Sequence, residues 1–205
     1  MRKIGPTARE VADLAISWIV ISLCFSIRGV YASTPHFLML FTSSIIAVGL
    51  GFLLHELMHR IVARSFACHA EYRMWPLGLL LALALAFVSG GSVIFAAPGA
   101  VYIAPPAYSP YISTEQMRRV YGLIALSGPI ANLALALAFY SLQGLSVHPF
   151  VSFTASVGLR VNLWLAAFNL LPIPPLDGSG VVKWNPAIWG LVAIPAWIAT
   201  ISIIV

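Results

Sequence analysis

The chain has 205 residues, of which 60% are hydrophobic and only 8% are charged, and its formal net charge is +5. This composition excludes an ordinary soluble domain and indicates a membrane protein. The basic residues stand at the ends of apolar segments and form no stripe on a polar face, so we expect topology signals and no nucleic-acid partner. Because no linker or repeat divides the chain, residues 1–205 are predicted to form a single membrane-embedded domain.

Five apolar runs are long enough to cross a bilayer, which requires ~20 residues. They cover residues 12–30, 37–63, 119–142, 151–171 and 187–205. The first run has features of a cleaved signal peptide, but Asp13 and Arg28 interrupt that pattern, so we expect an uncleaved span. The predicted fold class is an all-α polytopic membrane protein with five or six transmembrane helices.

The ambiguous segment lies at residues 75–110. Its first half is apolar but runs for only about fifteen residues before a Ser-Gly-Gly sequence, and its second half is a short β-rich stretch broken by Pro and Gly. It could form a short sixth span, or a re-entrant or β-hairpin element that returns to the side from which it started.

Charge counting favours the re-entrant alternative. If the segment does not cross, nearly all basic residues outside the apolar runs fall on one side, as the positive-inside rule predicts. These residues are Arg2, Lys3, Arg9, Arg60, Arg64, Arg73, Arg118, Arg119 and Lys183. Both the N-terminus and the region around Arg60 are then expected at the cytoplasmic face of a multi-pass protein. Arg28, near the outer end of the first span, fits neither arrangement.

The stretch GFLLHELMHRIVARSF, residues 51–66, carries the strongest chemical signal. His55 and His59 are spaced i and i+4, so they share one helical face and can hold one Zn²⁺, while Glu56 beside them can accept a proton from water. H-E-x-x-H is the zincin pattern. Ionisable groups near the centre of a spanning segment cost ~2.5 kcal/mol or more and are functional by default. This favours a catalytic site over polar residues that only cap the span.

A catalytic zinc needs a third protein ligand. The metzincin continuation would require histidine at position 65, which is Ser65, so that branch is excluded. Glu71 and His69 lie nearby in sequence and remain possible. Asp177 is the better candidate, because three prolines break the membrane segment before it and only the re-entrant arrangement places it on the same side as His59.

Three motifs, HELMH, LSGPIANLALAL and NLLPIPPLDG, together resemble the site-2 protease family of intramembrane zinc metalloproteases. The motifs spread over residues 51–180, and we place the core of the domain at 37–180. The resemblance implies Glu56 as general base and a single Zn²⁺ held by His55, His59 and Asp177. The family often carries PDZ or CBS modules, and this chain has room for neither.

The resemblance also implies two substrate-binding residues. Asn169 matches an asparagine that is implicated in binding the substrate backbone or the oxyanion. Asn132 matches a motif in a core span, where we expect helix packing or substrate contact. The implied activity is hydrolysis of a peptide bond within or near a transmembrane segment of another protein, inside the lipid bilayer.

A helical substrate must unwind before attack, and its freed backbone groups then need partners. Residues 92–103 could offer an edge strand for this pairing, or Pro98 and Gly99 could merely close a turn. Two alternative functions are a zinc or other cation transporter and a catalytically silent membrane scaffold. Transporters tend to show repeated halves, and neither motif has a second copy here. A scaffold has no need of a base at Glu56.

Overall fold

Helices make up most of the chain. The computed structural model describes residues 6–104, 113–145 and 148–204. The elements are α1 (Ala8–Val30), α2 (Thr34–Ser65), β1 (His69–Met74), α3 (Pro76–Val88), β2 (Gly99–Ala104), α4 (Thr114–Leu145), α5 (Pro149–Asn169), α6 (Asp177–Trp184) and α7 (Pro186–Ile204). The basic residues Arg2 and Lys3, part of the ambiguous segment (105–110) and Val205 lie outside the described residues.

Five helices, α1, α2, α4, α5 and α7, are long and apolar enough to cross a membrane. They correspond to the five predicted runs, and they confirm the all-α polytopic fold class. Local signals define several helix starts. The Thr7 side chain accepts a hydrogen bond from the Glu10 backbone N–H at the start of α1. The Ser33 side chain accepts one from the His36 backbone N–H at the start of α2, as N-cap residues do.

The long helix α2 lies at the centre of the helix packing, in contact with α1, α4 and α5. Its buried face contains small residues, including Ala47 and Gly51, which allow neighbouring helices to approach closely. Ser43 hydrogen-bonds Thr154 of α5 at 3.0 Å between the hydroxyl oxygens. In the second half of α2, which carries the HELMH sequence, the face with His55 and His59 is buried, while Leu54, Leu57 and Ile61 stay exposed.

The segment after α2 is re-entrant. Strands β1 and β2 pair antiparallel, with Met74 opposite Gly99 and His69 opposite Ala104. Because β1 precedes α3 and β2 follows it, the two ends of the segment that contains α3 lie side by side. Helix α3 has 13 residues, which is about 20 Å and too short to span. Gly90 and Gly91 have φ values of 62° and 78°, a conformation that glycine adopts without strain, and they reverse the chain. These features exclude the sixth span.

Buried ion pairs attach β1 to the helices. Glu10 of α1 pairs with Arg60 of α2 at 3.0 Å and also accepts a hydrogen bond from Tyr72 N at 3.2 Å. Arg73 lies 3.8 Å from Asp13 and 2.7 Å from Glu71. Unpaired charges would be expensive at such buried positions, so these pairs fix the sheet against one end of the α1–α2 hairpin.

The strand register gives a direct test of the re-entrant arrangement. Opposed residues of antiparallel strands have Cα atoms ~4.5–5.5 Å apart, a separation that a disulfide can bridge. We expect His69→Cys and Ala104→Cys to form a disulfide under mild oxidation, in a background where Cys24 and Cys68 are replaced by alanine. Electrophoresis of protease-nicked protein measures it. The control pair, His69→Cys with Val88→Cys, should stay reduced; disulfide formation in both pairs, or in neither, would contradict the register.

Candidate metal centre

Three potential ligand atoms from two helices converge at one point. His55 and His59 lie one turn apart on α2, and Asp177 is the first residue of α6. The two Nε2 atoms are 2.9 Å apart, and Asp177 Oδ2 lies 3.1 Å from Nε2 of His55 and 3.2 Å from Nε2 of His59. Both histidines are buried, with 4% and 5% of their surface exposed. Within the described residues, this is a group that could hold one metal ion.

Hydrogen bonds on the far side of each imidazole set its tautomer. Nδ1 of His55 lies 2.6 Å from Oδ1 of Asn132. The oxygen and nitrogen of the Asn132 amide can be told apart, because Nδ2 donates hydrogen bonds to the Gly51 carbonyl and to Asn162 Oδ1, both at 3.0 Å. Nδ1 of His59 lies 2.7 Å from the Ile124 carbonyl oxygen, which can only accept. Both Nδ1 atoms therefore carry a proton, and in the neutral rings both Nε2 atoms present lone pairs.

This arrangement fits a cation. Two imidazole lone pairs and a carboxylate oxygen face one another, and Asp177 Oδ2 is buried without a hydrogen-bond donor. Such a set of acceptors repels itself unless a positive ion lies between them. A tetrahedral zinc with bonds of ~2.1 Å has ligand–ligand edges of ~3.4 Å, so the triangle of about 3 Å edges needs only a slight expansion. Two histidines and a carboxylate also form a known catalytic zinc ligand set.

Two glycines allow the helices to approach closely enough. A side chain at Gly128 of α4 would overlap the Nε2 atoms of both histidines. A side chain at Gly178 would overlap the carbonyl of Leu170 at the end of α5. The sequence Asp177-Gly178 thus has a structural reason, since the glycine lets α6 begin against α5 and brings the preceding aspartate to the histidines.

Glu56 shares a cavity of about 230 Å³ with the three potential ligands. Its Oε2 is buried and has no hydrogen-bond partner. A buried carboxylate oxygen without a partner is rare in structural positions, and here it lies beside the metal centre. The cavity wall also includes Pro98, Gly99 and Val101, just before and within the start of β2.

The two predicted substrate-binding residues occupy different places. Asn169 lines the cavity, and its Nδ2 donates to the Leu165 carbonyl of α5 at 2.9 Å. Asn132 is fully buried and does not line the cavity; it holds His55 instead. Substrate binding by either residue stays a prediction, while Asn132 has a positioning role that sequence reasoning did not assign.

The alternative third ligands lie elsewhere. Glu71 is on β1, where it accepts from Arg73 at 2.7 Å and from Thr7 at 3.1 Å. His69 is exposed at the beginning of the same strand. Neither belongs to the group of potential ligands that the structure describes.

Sequence reasoning also missed Gly128 and the Ile124 carbonyl as parts of the centre. The motif LSGPIANLALAL did identify the right segment of α4. The spacing within this motif could have predicted the contact, because Gly128 and Asn132 are four residues apart and lie on one helical face. That face of α4 meets the two histidines.

The fold and the centre together define a polytopic helical membrane protein with an H-E-x-x-H helix and a distant aspartate at one metal site. No family model matches the chain, and no solved structure matches it.

Two curated relatives are similar to the chain. The protein named "Putative zinc metalloprotease MJ0611" from Methanocaldococcus jannaschii is 44% identical over 189 residues, which cover 91% of this chain and 90% of that protein. The protein named "Putative zinc metalloprotease YwhC" from Bacillus subtilis is 27% identical over 150 residues, 68% of this chain and 67% of that protein. The chain belongs to the family of the M. jannaschii protein, and the predicted metalloprotease class is confirmed at that level.

Two carboxylates test the ligand assignment. Asp177→Ala removes the carboxylate whose Oδ2 lies 3.1 Å and 3.2 Å from the Nε2 atoms of the two histidines, so we expect the purified variant to lose its zinc. Glu71→Ala is the matched control, because it removes a carboxylate from β1 and should leave the metal in place. Metal content by inductively coupled plasma mass spectrometry measures both. The reverse pattern would move the third ligand to β1.

The role of Asn132 is also testable. Asn132→Leu removes the hydrogen bond that orients His55, and we expect zinc affinity to fall ~10–100-fold, as for other groups that orient metal ligands. Competition with a fluorescent chelator measures the affinity. Thr154→Val is the control, since it removes a buried hydrogen bond to Ser43 away from the centre. Equal zinc affinities in the two variants would contradict the positioning role.

Proposed function

We propose that the protein is an intramembrane zinc metalloprotease of the site-2 protease type, which hydrolyses a peptide bond within or near a transmembrane segment of another membrane protein. One observation carries the proposal: Glu56, with an unpartnered buried oxygen, shares a cavity with two histidines and an aspartate whose ligand atoms lie within 4.8 Å of one another. A site of this kind within five apolar helices suits a substrate that is itself in the membrane.

His55, His59 and Asp177 would hold the Zn²⁺, which would supply a Lewis acid to polarise the scissile carbonyl and make water more acidic. Glu56 accepts a proton from the attacking water while the water oxygen forms a bond to the carbonyl carbon of the substrate. Glu56 then returns that proton to the leaving nitrogen as the C–N bond breaks. The hydrogen bonds that Nδ1 of His55 donates to Asn132 Oδ1 and Nδ1 of His59 donates to the Ile124 carbonyl keep both imidazoles in the tautomer that this chemistry requires.

The backbone near the cavity supports a path for an unwound substrate. Strand β2 pairs only with β1 among the described residues, and its first residues line the cavity. An extended substrate segment could pair with the other edge of β2. The structure places the strand at Gly99–Ala104, later in the sequence than most of the predicted stretch 92–103.

The proposed orientation places the metal centre toward the cytoplasmic face. Arg60, Arg64 and Arg73 follow the H-E-x-x-H sequence directly, while Arg118, Arg119 and Lys183 flank α4 and α6. The positive-inside rule favours a cytoplasmic location for such a set.

A transporter remains the other class of function, but the observations favour hydrolysis. No second group of potential metal ligands occurs in residues 6–104, 113–145 and 148–204, whereas a transport path needs successive sites or alternating access. A scaffold would leave the buried Glu56 carboxylate without a purpose.

Glu56→Gln should separate hydrolysis from both alternatives. The amide keeps the size of the side chain but cannot accept the proton, so we expect turnover of a model single-span substrate to fall ~10²–10⁴-fold while zinc content stays unchanged. Gel-based cleavage of the purified substrate, with and without a chelator, measures it. Glu115→Gln, on the first turn of α4, is the matched control. Unchanged cleavage in Glu56→Gln would remove the proposed base.

Asn169→Ala tests the predicted contact with substrate. The side chain lines the cavity and does not belong to the ligand group, so we expect zinc to be retained and turnover to fall about 10²-fold if it stabilises the oxyanion. Cleavage kinetics and metal content are measured on the same preparation. Loss of metal would instead make Asn169 a structural residue of the centre.

A further inference from the structure

A second cavity lies away from the metal centre, between α1, α2, α5 and the turn that follows α3. Its volume is about 430 Å³, within the usual range of ligand pockets. It shares no lining residue with the metal cavity. Most of its wall is apolar, and the two charged residues in that wall are Arg28 and Arg160.

Both arginines belong to helices that can cross a membrane. Arg28 is in the last turn of α1, from which its side chain could extend to the interface. Arg160 lies in the middle of α5 (Pro149–Asn169), where extension to water is much harder. Both residues are exposed on the surface of the chain and line the cavity, so their positive charges are available to a ligand in it.

Neither arginine has a partner within the described part of the chain. No ion pair or hydrogen bond joins the side chain of Arg28 or Arg160 to the side chain or backbone of another described residue. Arginine within a membrane segment normally pairs with an acidic group or with backbone carbonyls. The positive charges of this cavity are therefore uncompensated.

Acidic side chains cannot supply the missing charge. The chain has six, and all lie toward the metal-bearing end of the helices. Glu10, Asp13 and Glu71 pair with arginines beside β1. Glu56 and Asp177 belong to the metal centre. Glu115 is in the first turn of α4, six residues before Tyr121, which lines the metal cavity. The counter-anion must come from outside the chain.

We propose that this second cavity binds an anionic phospholipid, with its phosphate between Arg28 and Arg160 and an acyl chain against the apolar wall. Guanidinium groups bind phosphate oxygens through paired hydrogen bonds, and basic pockets between transmembrane helices are suited to anionic headgroups. The apolar wall includes Phe25, Leu40 and Val157, which give a lipid chain a contact surface that a free phosphate ion cannot use. This proposal does not depend on the proteolytic activity.

The test uses the full chain, purified in a neutral detergent and examined by native mass spectrometry. Dioleoyl phosphatidylglycerol and dioleoyl phosphatidylcholine are added in equal amounts, because they share acyl chains and differ in net charge. We expect retained phosphatidylglycerol to exceed phosphatidylcholine by on the order of tenfold or more, since each basic residue near a headgroup favours anionic lipid. Excess inorganic phosphate should not displace it.

Variants connect the binding to the two arginines. The preference should disappear in Arg28→Gln/Arg160→Gln and persist in Arg118→Gln, which removes an exposed charge from the start of α4. Each single variant should lower the preference, and Arg160→Lys should keep part of it, so the result stands even if the double variant fails to fold. Equal retention of both lipids, an unchanged preference in the single variants, or displacement by phosphate would overturn the proposal.

Discussion

The structure depends on one constraint, that a charge or lone pair buried among apolar helices needs a partner of opposite character. Glu10 meets it through Arg60, and Arg73 meets it through Asp13 and Glu71. The metal centre is arranged differently, since Nε2 of His55, Nε2 of His59 and Asp177 Oδ2 all present electron pairs to one another. Only a cation can satisfy all three together, so the fold around them is prepared for a metal.

That preparation requires several helices to be in place at once. Helix α2 supplies the two histidines, but α4 determines which nitrogen of each is protonated, through Asn132 and the Ile124 carbonyl. Helix α6 adds the carboxylate, and Gly178 allows it to begin against the end of α5. The buried pairs beside β1 hold the re-entrant segment against α1 and α2, which places β2 along the cavity. A shift of α6 relative to α2 would separate the ligand atoms.

Local pattern was enough to predict the spans and the H-E-x-x-H helix, because run length and i and i+4 spacing are properties of contiguous residues. The re-entrant segment was predicted from the distribution of basic residues along the whole chain. Asp177 was predicted through a topology argument and a family resemblance, and the structure brings it to the histidines. The hydrogen bonds of Asn132 were not predicted, since they depend on helix rotation about its axis. The cavity of Arg28 and Arg160 also joins residues from distant helices, and no sequence spacing connects them.

The two cavities use the same physical rule with opposite signs. At the metal centre, two imidazole nitrogens and the Asp177 carboxylate present a surplus of electron pairs to one another. In the second cavity, two guanidinium groups have no acidic side chain near them. A membrane interior screens neither imbalance well, so each must be satisfied by something that the chain does not contain. A cation completes the first cavity, and an anion that can stay within the bilayer completes the second.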